Sequence, residues 1–316
     1  MIAGSPGHRA RLVRVLVLAI LVVVLVFGVR YARATDWQAV AAALRSYRPA
    51  RLAACLGMVL LSYLLYCAYE LVARRQVGHR LPRGRTAAIA FVCYAVALNL
   101  GALLGSGGMR LRLYSRAGLS AGRVARIAGF TVLTNWLGYA ALTGVVLLVA
   151  PLPLPPGAGE GIAWRLPGAV MLLMVLAYLA LCARHGGRHL HLRGQAFVVP
   201  SLRMALLQLL LSCLNWAVLG ALLFLLLPAG VAYPRVLAIV LVSAVAGVLL
   251  HTPAGLGAWE TMFLLTLGAQ LGEPAVLAAL LAFRGLYYLL PLGVAGLVYL
   301  WLESRRVRLP GSDAAG

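Results

Sequence analysis

Nine long apolar runs follow one another along this chain, separated by short polar loops. Most of the runs approach the roughly 20 residues that an α-helix needs to cross a bilayer. A water-soluble domain cannot bury so much apolar side chain, whereas lipid-facing helix surfaces need no polar cover. The runs lie at about 15–29, 51–73, 86–107, 127–150, 166–183, 204–227, 235–251, 257–272 and 275–302. The sequence therefore predicts an all-α, polytopic helical membrane protein.

The composition favours one membrane-embedded unit. Of the 316 residues, 63% are hydrophobic and 11% are charged, whereas soluble domains carry about a quarter charged residues. We therefore expect a single integral-membrane domain over 1–316, with cytoplasmic ends at 1–14 and 304–316. Residues 36–48 are predicted to form a short helix in the membrane interface, because Asp36 can cap its start and apolar residues share one face. An ordinary loop helix is the alternative.

All 28 basic residues are arginine, and the net charge is +21. Such a charge can indicate nucleic-acid binding. Here, however, the arginines are concentrated in the short loops at 74–85, 108–126 and 184–203 and in the tail, the pattern of cytoplasmic loops in membrane proteins. The sequence therefore predicts contact with anionic lipid rather than nucleic acid, in a multi-pass protein of the bacterial inner membrane.

Loop charge and apolar length conflict at one place. If 74–85 and 108–126 are both cytoplasmic, the run 86–107 cannot cross the membrane once. It must be re-entrant or broken, and glycine is poor in helix interiors, so a break is expected around four residues. These are Asn99, Gly105, Gly107 and Gly108. This interpretation predicts about eight transmembrane helices with both termini in the cytoplasm. It also places segment 30–51, with its five arginines, outside the cytoplasm, against the positive-inside rule.

The break is followed by Arg110, Arg112 and Arg116. Glycines let backbone N–H groups point at an anion, and arginine presents a planar fork of donors to phosphate. The segment thus suits a lipid phosphate. The alternative is structural: Gly101 and Gly105 fit a small-xxx-small helix contact, and the arginines then form an ordinary cytoplasmic loop.

A second break is expected at Pro253, Gly255 and Gly257, just before Glu260. Glu260 falls in the first turn of the next helix, where its charge favours the helix dipole. A carboxylate at membrane depth needs a partner or a wet cavity, and Arg284, inside the last apolar run, is the candidate. A structural role for Arg284, paired with Glu260 or with Glu70, is equally open.

These stretches resemble the bacterial lysylphosphatidylglycerol synthetase transmembrane-domain family, including its stand-alone members. The matching stretches are Tyr69-Glu70-Leu71, Gly78-His79-Arg80-Leu81-Pro82, 99–120, 251–260 and 282–292. The resemblance implies a flippase-like fold and makes Arg110, Arg112, Arg116, Glu260 and Arg284 headgroup-binding candidates. Because only eight residues follow Arg308, we expect no synthetase domain here.

The leading functional hypothesis is therefore a phospholipid translocase, not an enzyme, that moves phosphatidylglycerol-type or aminoacylated lipid between leaflets. The alternatives are a non-catalytic assembly or scaffold protein and, less favoured, a membrane-embedded lipid-modifying enzyme. The five cysteines lie in apolar stretches without metal-ligand spacing, so neither a metal site nor a cofactor is expected. Homo-oligomerisation and a separate lipid-modifying enzyme as partner stay open.

Overall fold

The structure is a computed structural model that describes residues 36–101, 107–149, 162–192, 195–249 and 255–304. The first apolar run, 15–29, lies outside them. The helices are α1 (Trp37–Arg45), α2 (Pro49–Val77), α3 (Arg83–Leu100), α4 (Arg110–Arg116), α5 (Ala121–Val149), α6 (Ile162–His185), α7 (Leu202–Leu226), α8 (Tyr233–Leu249), α9 (Ala258–Leu271), α10 (Glu273–Phe283) and α11 (Leu290–Ser304). A π-helical turn, Arg284–Leu289, joins α10 to α11, and a hairpin of His189–Leu192 and Gln195–Val198 connects α6 to α7.

Five of the described helical segments are long and apolar enough to cross a membrane. They are Pro49–Val77, Ala121–Val149, Arg165–His185, Leu202–Leu226 and Glu273–Ser304. The predicted all-α, polytopic membrane fold is confirmed. The count of eight crossings is not confirmed, since the run at 15–29 lies outside the described residues and the runs at 235–251 and 257–272 give shorter helices.

Contacts between helix ends sort the loops onto two faces. On the first, Gln76 donates to the Val198 carbonyl (3.0 Å), and the His79 ring meets the Tyr114 ring edge-on. On the second, the Tyr47 hydroxyl donates to the carbonyl of Leu226, 2.7 Å away. We call the first, with loops 78–82, 117–120, 186–188 and 199–201, the arginine face. The second, with loops 46–48 and 227–232 and Gly272, is the opposite face.

Helix α3 and helix α4 form a hairpin that enters and leaves on the arginine face. Helix α3 ends at Gly101, whose φ of 87° favours glycine. The chain then returns so that Arg110 pairs with Glu70, which lies about 10 Å below the α2 end at Val77, at 1.5 Å per residue. The broken course that the loop charges required for 86–107 is therefore present.

Helices α8 and α9 form a second hairpin, from the opposite face. Arg235, near the start of α8, donates to the Gln270 side chain (2.9 Å) and the Thr266 carbonyl (3.2 Å) near the end of α9. Helix α9 begins beside Arg284, which lies about 16 Å below Glu273. The prediction of eight crossings counts these two runs as separate crossings. In the structure they form antiparallel helices of 17 and 14 residues, shorter than the roughly 20 residues of a full crossing.

The end of α3 and the start of α9 meet at the π-helical turn. The wider turn presents backbone carbonyls to other helices, and two side chains use them. The Tyr63 hydroxyl of α2 donates to the Tyr287 carbonyl, and the Asn99 amide of α3 donates to the Tyr288 carbonyl, both at 3.1 Å. The α9 tip reaches the same turn through the pair of Glu260 and Arg284.

Helices α5 and α7 pack closely at Gly138. A Cβ added there would overlap the Ser212 side chain and the backbone nitrogen of Cys213. Small residues allow membrane helices to approach in this way, since dispersion and interhelical hydrogen bonds drive their association. The Ser212 hydroxyl donates to the Asn135 carbonyl (2.9 Å) at the same contact.

Candidate functional site

Among the described residues, the most buried ion pair is that of Arg110 and Glu70. Arg110 Nη2 lies 3.0 Å from Glu70 Oε2, and Arg110 Nε lies 3.1 Å from Oε1. Glu70 is fully buried and Arg110 is 2% exposed. The Tyr114 hydroxyl also donates to Glu70 Oε1 (3.0 Å), and the guanidinium lies 5.0 Å from the Tyr94 ring centre. The bidentate geometry and these extra partners are what a buried ion pair needs to offset its desolvation.

The pair of Arg284 and Glu260 is more accessible. Arg284 Nε lies 2.6 Å from Glu260 Oε1, and the two side chains are 16% and 25% exposed. The other carboxylate oxygen accepts from the Gly257 amide (2.8 Å), so Glu260 caps α9 and also binds Arg284. The guanidinium lies over the Tyr288 ring, in the π-helical turn. The Glu260 side chain thus makes both contacts considered from the sequence: it caps α9 and it pairs with Arg284.

A third group lies at the arginine face. Arg112 and Arg116 both pair with Glu303 near the end of α11, and the Arg112 Nη2 distance is 3.2 Å. These arginines are more than half exposed. Residues 112 and 116 share a face of α4 because they are four apart, whereas residue 110 points to the other side. Helix geometry therefore separates Arg110 from the other two arginines.

The five headgroup candidates thus lie in three separate groups, and each group contains one carboxylate. Their role in lipid binding stays a prediction. Glu303 and Tyr114 are site residues that the sequence did not predict, and Glu70 was predicted only as a partner for Arg284. The small number of acids was a usable signal, because the chain has seven Asp and Glu residues and few of them fall inside apolar runs.

The predicted break residues that the structure describes lie next to helix ends in the two hairpins. Gly107 and Gly108 form a short π-type turn before α4, and Asn99 lies in the last turn of α3. Gly255 (φ 65°) and Gly257 (φ 82°) take the left-handed conformation before α9. Gly105 and Pro253 lie outside the described residues.

A polar chain crosses the bundle interior beside the π-helical turn. The Ser62 hydroxyl donates to Asn215 Oδ1 (2.7 Å) and lies 2.8 Å from the Tyr287 hydroxyl. All three side chains are buried. Hydrogen bonds between α2, α7 and the turn satisfy these groups in an apolar environment, where an unpaired polar group is costly.

His79 lies in the loop 78–82 and is 4% exposed. Neither of its ring nitrogens has a hydrogen-bond partner among the residues that the structure describes. Burial, together with the charges of Arg74 and Arg123, lowers the pKa of His79 to about 4. The ring is therefore neutral at pH 7.

In the described part of the chain, no three His, Cys, Asp or Glu side chains come together as metal ligands. The five cysteines, at 55, 67, 93, 182 and 213, are free thiols.

The fold and these ion pairs define a multi-pass helical membrane protein with ion pairs inside its helical bundle and at its arginine face. Residues 12–295 match the lysylphosphatidylglycerol synthase TM region family, and the chain belongs to that family. It is 39% identical to the inner membrane protein YbhN of Escherichia coli (strain K12) over 315 residues, 98% of this chain and 99% of YbhN. It is also 31% identical to the protein slr0712 of Synechocystis over 279 residues, 86% of each chain.

Proposed function

We propose that this protein translocates phospholipids with anionic headgroups between the leaflets of the bacterial inner membrane, and that it acts by transport rather than by chemistry. The observation that carries the proposal is the partly exposed pair of Arg284 and Glu260 at a hairpin tip. Intramembrane charges are costly and mark substrate pathways in many membrane proteins. Breaks in helices that enter from opposite faces are typical of transport sites.

The pair suits an exchange of partners. A lipid phosphate can replace the Glu260 carboxylate on the guanidinium of Arg284, because arginine binds both anions with the same fork of donors. The released carboxylate can then accept from a hydroxyl or ammonium group of the headgroup, and Gly257 keeps it at the helix start. The guanidinium of Arg284 keeps an anionic partner throughout the exchange, which limits the cost of moving a headgroup phosphate past this depth.

The hairpin tips supply the moving parts of the proposal. Glycines at 255 and 257 take positive φ at one tip, and Gly101 does so at the other. Such positions can absorb a change in backbone direction, and small rotations of the tips would open the turn to one leaflet or the other. We assign the arginine face, and with it both termini, to the cytoplasm by the positive-inside rule.

One observation favours the scaffold alternative. All five candidate charges have a partner of opposite charge, so each ion pair can serve structure alone. The two functions differ in what an exchange of charges does. If the pair is structural, the reversed pair of Arg284→Glu with Glu260→Arg restores whatever either single change removes. If the pair handles phosphate, lipid movement stays low in the reversed pair, because the cation then lies on the wrong helix.

The test uses the full chain in proteoliposomes with fluorescently labelled phosphatidylglycerol. We expect Glu260→Gln and Arg284→Gln to reduce its transbilayer movement, while Arg203→Gln, an exposed arginine at the start of α7, does not. Lipid extracted afterwards should be chemically unchanged by mass spectrometry. Wild-type movement equal to that in protein-free vesicles contradicts the translocase proposal, and a modified lipid product supports an enzyme.

A further inference from the structure

A cavity of about 550 Å³ opens on the arginine face, away from the hairpin tips. Its walls are the end of α2, the first half of α5, the second half of α6 and the strand leading to α7. Its lining includes Gln76, Arg126, Phe130, Leu133, Leu181 and Val199. This volume falls in the range of about 300–1,000 Å³ of ligand pockets. We call this cavity the α5–α6 groove.

The α5 wall of the groove follows helical spacing. Gly122, Arg126, Gly129 and Leu133 are three or four residues apart and so lie along one side of the helix. A Cβ added at Gly122 or Gly129 would meet no atom within 4 Å. The two glycines therefore leave open space on either side of Arg126.

Arg126 differs from the other candidate cations in its partners. It is exposed, and among the described residues no acidic side chain lies within ion-pair distance of it. Arg110 and Arg284 each pair with one carboxylate, and Arg112 and Arg116 share the carboxylate of Glu303. The positive charge at this groove is thus available to an anion from outside the protein.

Along α5, the positive charge of Arg126 lies near the helix start, and the apolar side chains of the groove lie deeper. Arg126 lies about 8 Å from the helix start at Ala121, and Leu133 lies about 18 Å from it, at 1.5 Å per residue. The first distance corresponds to lipid headgroups and the second to acyl chains. An anionic amphiphile fits this order, with its charge on Arg126 and its chain along Phe130 and Leu133.

We propose that the α5–α6 groove holds one anionic glycerophospholipid from the leaflet at the arginine face. Its phosphate binds Arg126, and one acyl chain lies between α5 and α6 over Gly129. The proposal that the groove binds this lipid does not depend on the proposed function. The further role, that this lipid is the one loaded for translocation, rests on the proposed function.

The experiment uses the full chain in phosphatidylcholine nanodiscs that contain phosphatidylglycerol with a photoreactive diazirine in one acyl chain. Peptides labelled after illumination are identified by mass spectrometry. In the wild type we expect labels to concentrate on the groove walls, and phosphatidylcholine with the same diazirine should label them less. Arg126→Ala should reduce groove labelling roughly fivefold, the effect of one arginine at a lipid surface, and Arg126→Lys should retain most of it.

A second variant fills the groove without touching the charge. Gly129→Leu projects a side chain into the open space and should remove the labels on Leu133 and Leu181. Gly57→Leu is its matched control, since this exposed glycine of α2 also has open space around it. Arg203→Ala is the control for charge. Size-exclusion profiles and thermal unfolding show whether each variant is folded.

Equal labelling in the wild type, Arg126→Ala and Gly129→Leu, or labels spread evenly over the lipid-facing helices, would overturn the site. The nanodisc readout needs no transbilayer movement, so labelling that depends on Arg126 supports the site even if vesicles show no transport. Transport at the wild-type rate by a folded Arg126→Ala that has lost its labels would overturn the loading role.

Discussion

The buried pair of Glu70 and Arg110 should be essential to the fold, and removing either partner alone should be more damaging than removing both. We consider Glu70→Gln, Arg110→Met and the double variant. Glu70→Gln keeps an acceptor for the Tyr114 hydroxyl but leaves a buried cation. Arg110→Met leaves a buried carboxylate, whose remaining partner is Tyr114.

The expected loss in the free energy of unfolding follows from the distance between the two charges and from their burial. Two charges about 4 Å apart attract by roughly 4 kcal/mol at an effective dielectric constant near 20. The pair is at most 2% exposed, so water cannot replace the lost partner. Breaking a buried pair on one side costs about 3–5 kcal/mol, whereas replacing both charges by groups of similar volume is often neutral. We therefore expect each single variant to lose about 3–5 kcal/mol and the double variant to lose less than either.

The assay is reversible unfolding of the purified protein in mixed micelles, followed by far-ultraviolet circular dichroism as the denaturing detergent fraction rises. Tyr114→Phe is the control for one hydrogen bond and should cost about 1 kcal/mol. Single variants within 1 kcal/mol of the wild type, or a double variant whose loss equals the sum of the two, would refute the reasoning. Arg110 would then be free to act as a headgroup ligand without structural cost.

Three further predictions concern other parts of the molecule. Gly138→Ala should destabilise by about 1–3 kcal/mol because its Cβ overlaps α7, whereas Gly57→Ala, with open space, should not; thermal unfolding compares the two. The pKa of His79 is lowered to about 4 from an unfolded value near 6.5, so its neutral form stabilises the fold above pH 6.5 and this contribution is lost as pH falls toward 4. His79→Phe should therefore flatten the fall of the melting temperature between pH 6.5 and 4, and an unchanged slope contradicts this. Glu303→Gln should cost under about 1 kcal/mol, since its two arginines are exposed, and the difference should vanish at high salt.

The sequence was sufficient for the class of fold, and its loop charges located the broken segment at 86–107. It also indicated that Glu260 begins a helix and that Arg284 can pair with it, because acids inside apolar runs are few. It could not show that α8 and α9 form one hairpin, since runs of 17 and 14 apolar residues differ little from short crossings. That distinction depends on contacts between residues such as Arg235 and Gln270.

Two features of the site depend on packing that no local pattern reveals. Glu70 and Arg110 are 40 positions apart, and their pairing requires the return of the chain after α3. The π-helical turn at Arg284–Leu289 is stabilised by donors from α2 and α3 at Tyr287 and Tyr288. Hydropathy and spacing describe each helix by itself, whereas these contacts arise where three helices meet.

The most direct test of lipid translocation is the rate at which labelled phosphatidylglycerol changes leaflet in proteoliposomes that contain the wild type, Glu260→Gln or Arg284→Gln. The proposed function predicts movement well above protein-free vesicles for the wild type and a large loss in both variants while they remain folded. Movement that is absent in the wild type, or unchanged in both variants, would contradict the account of Arg284 and Glu260 as the site of headgroup passage.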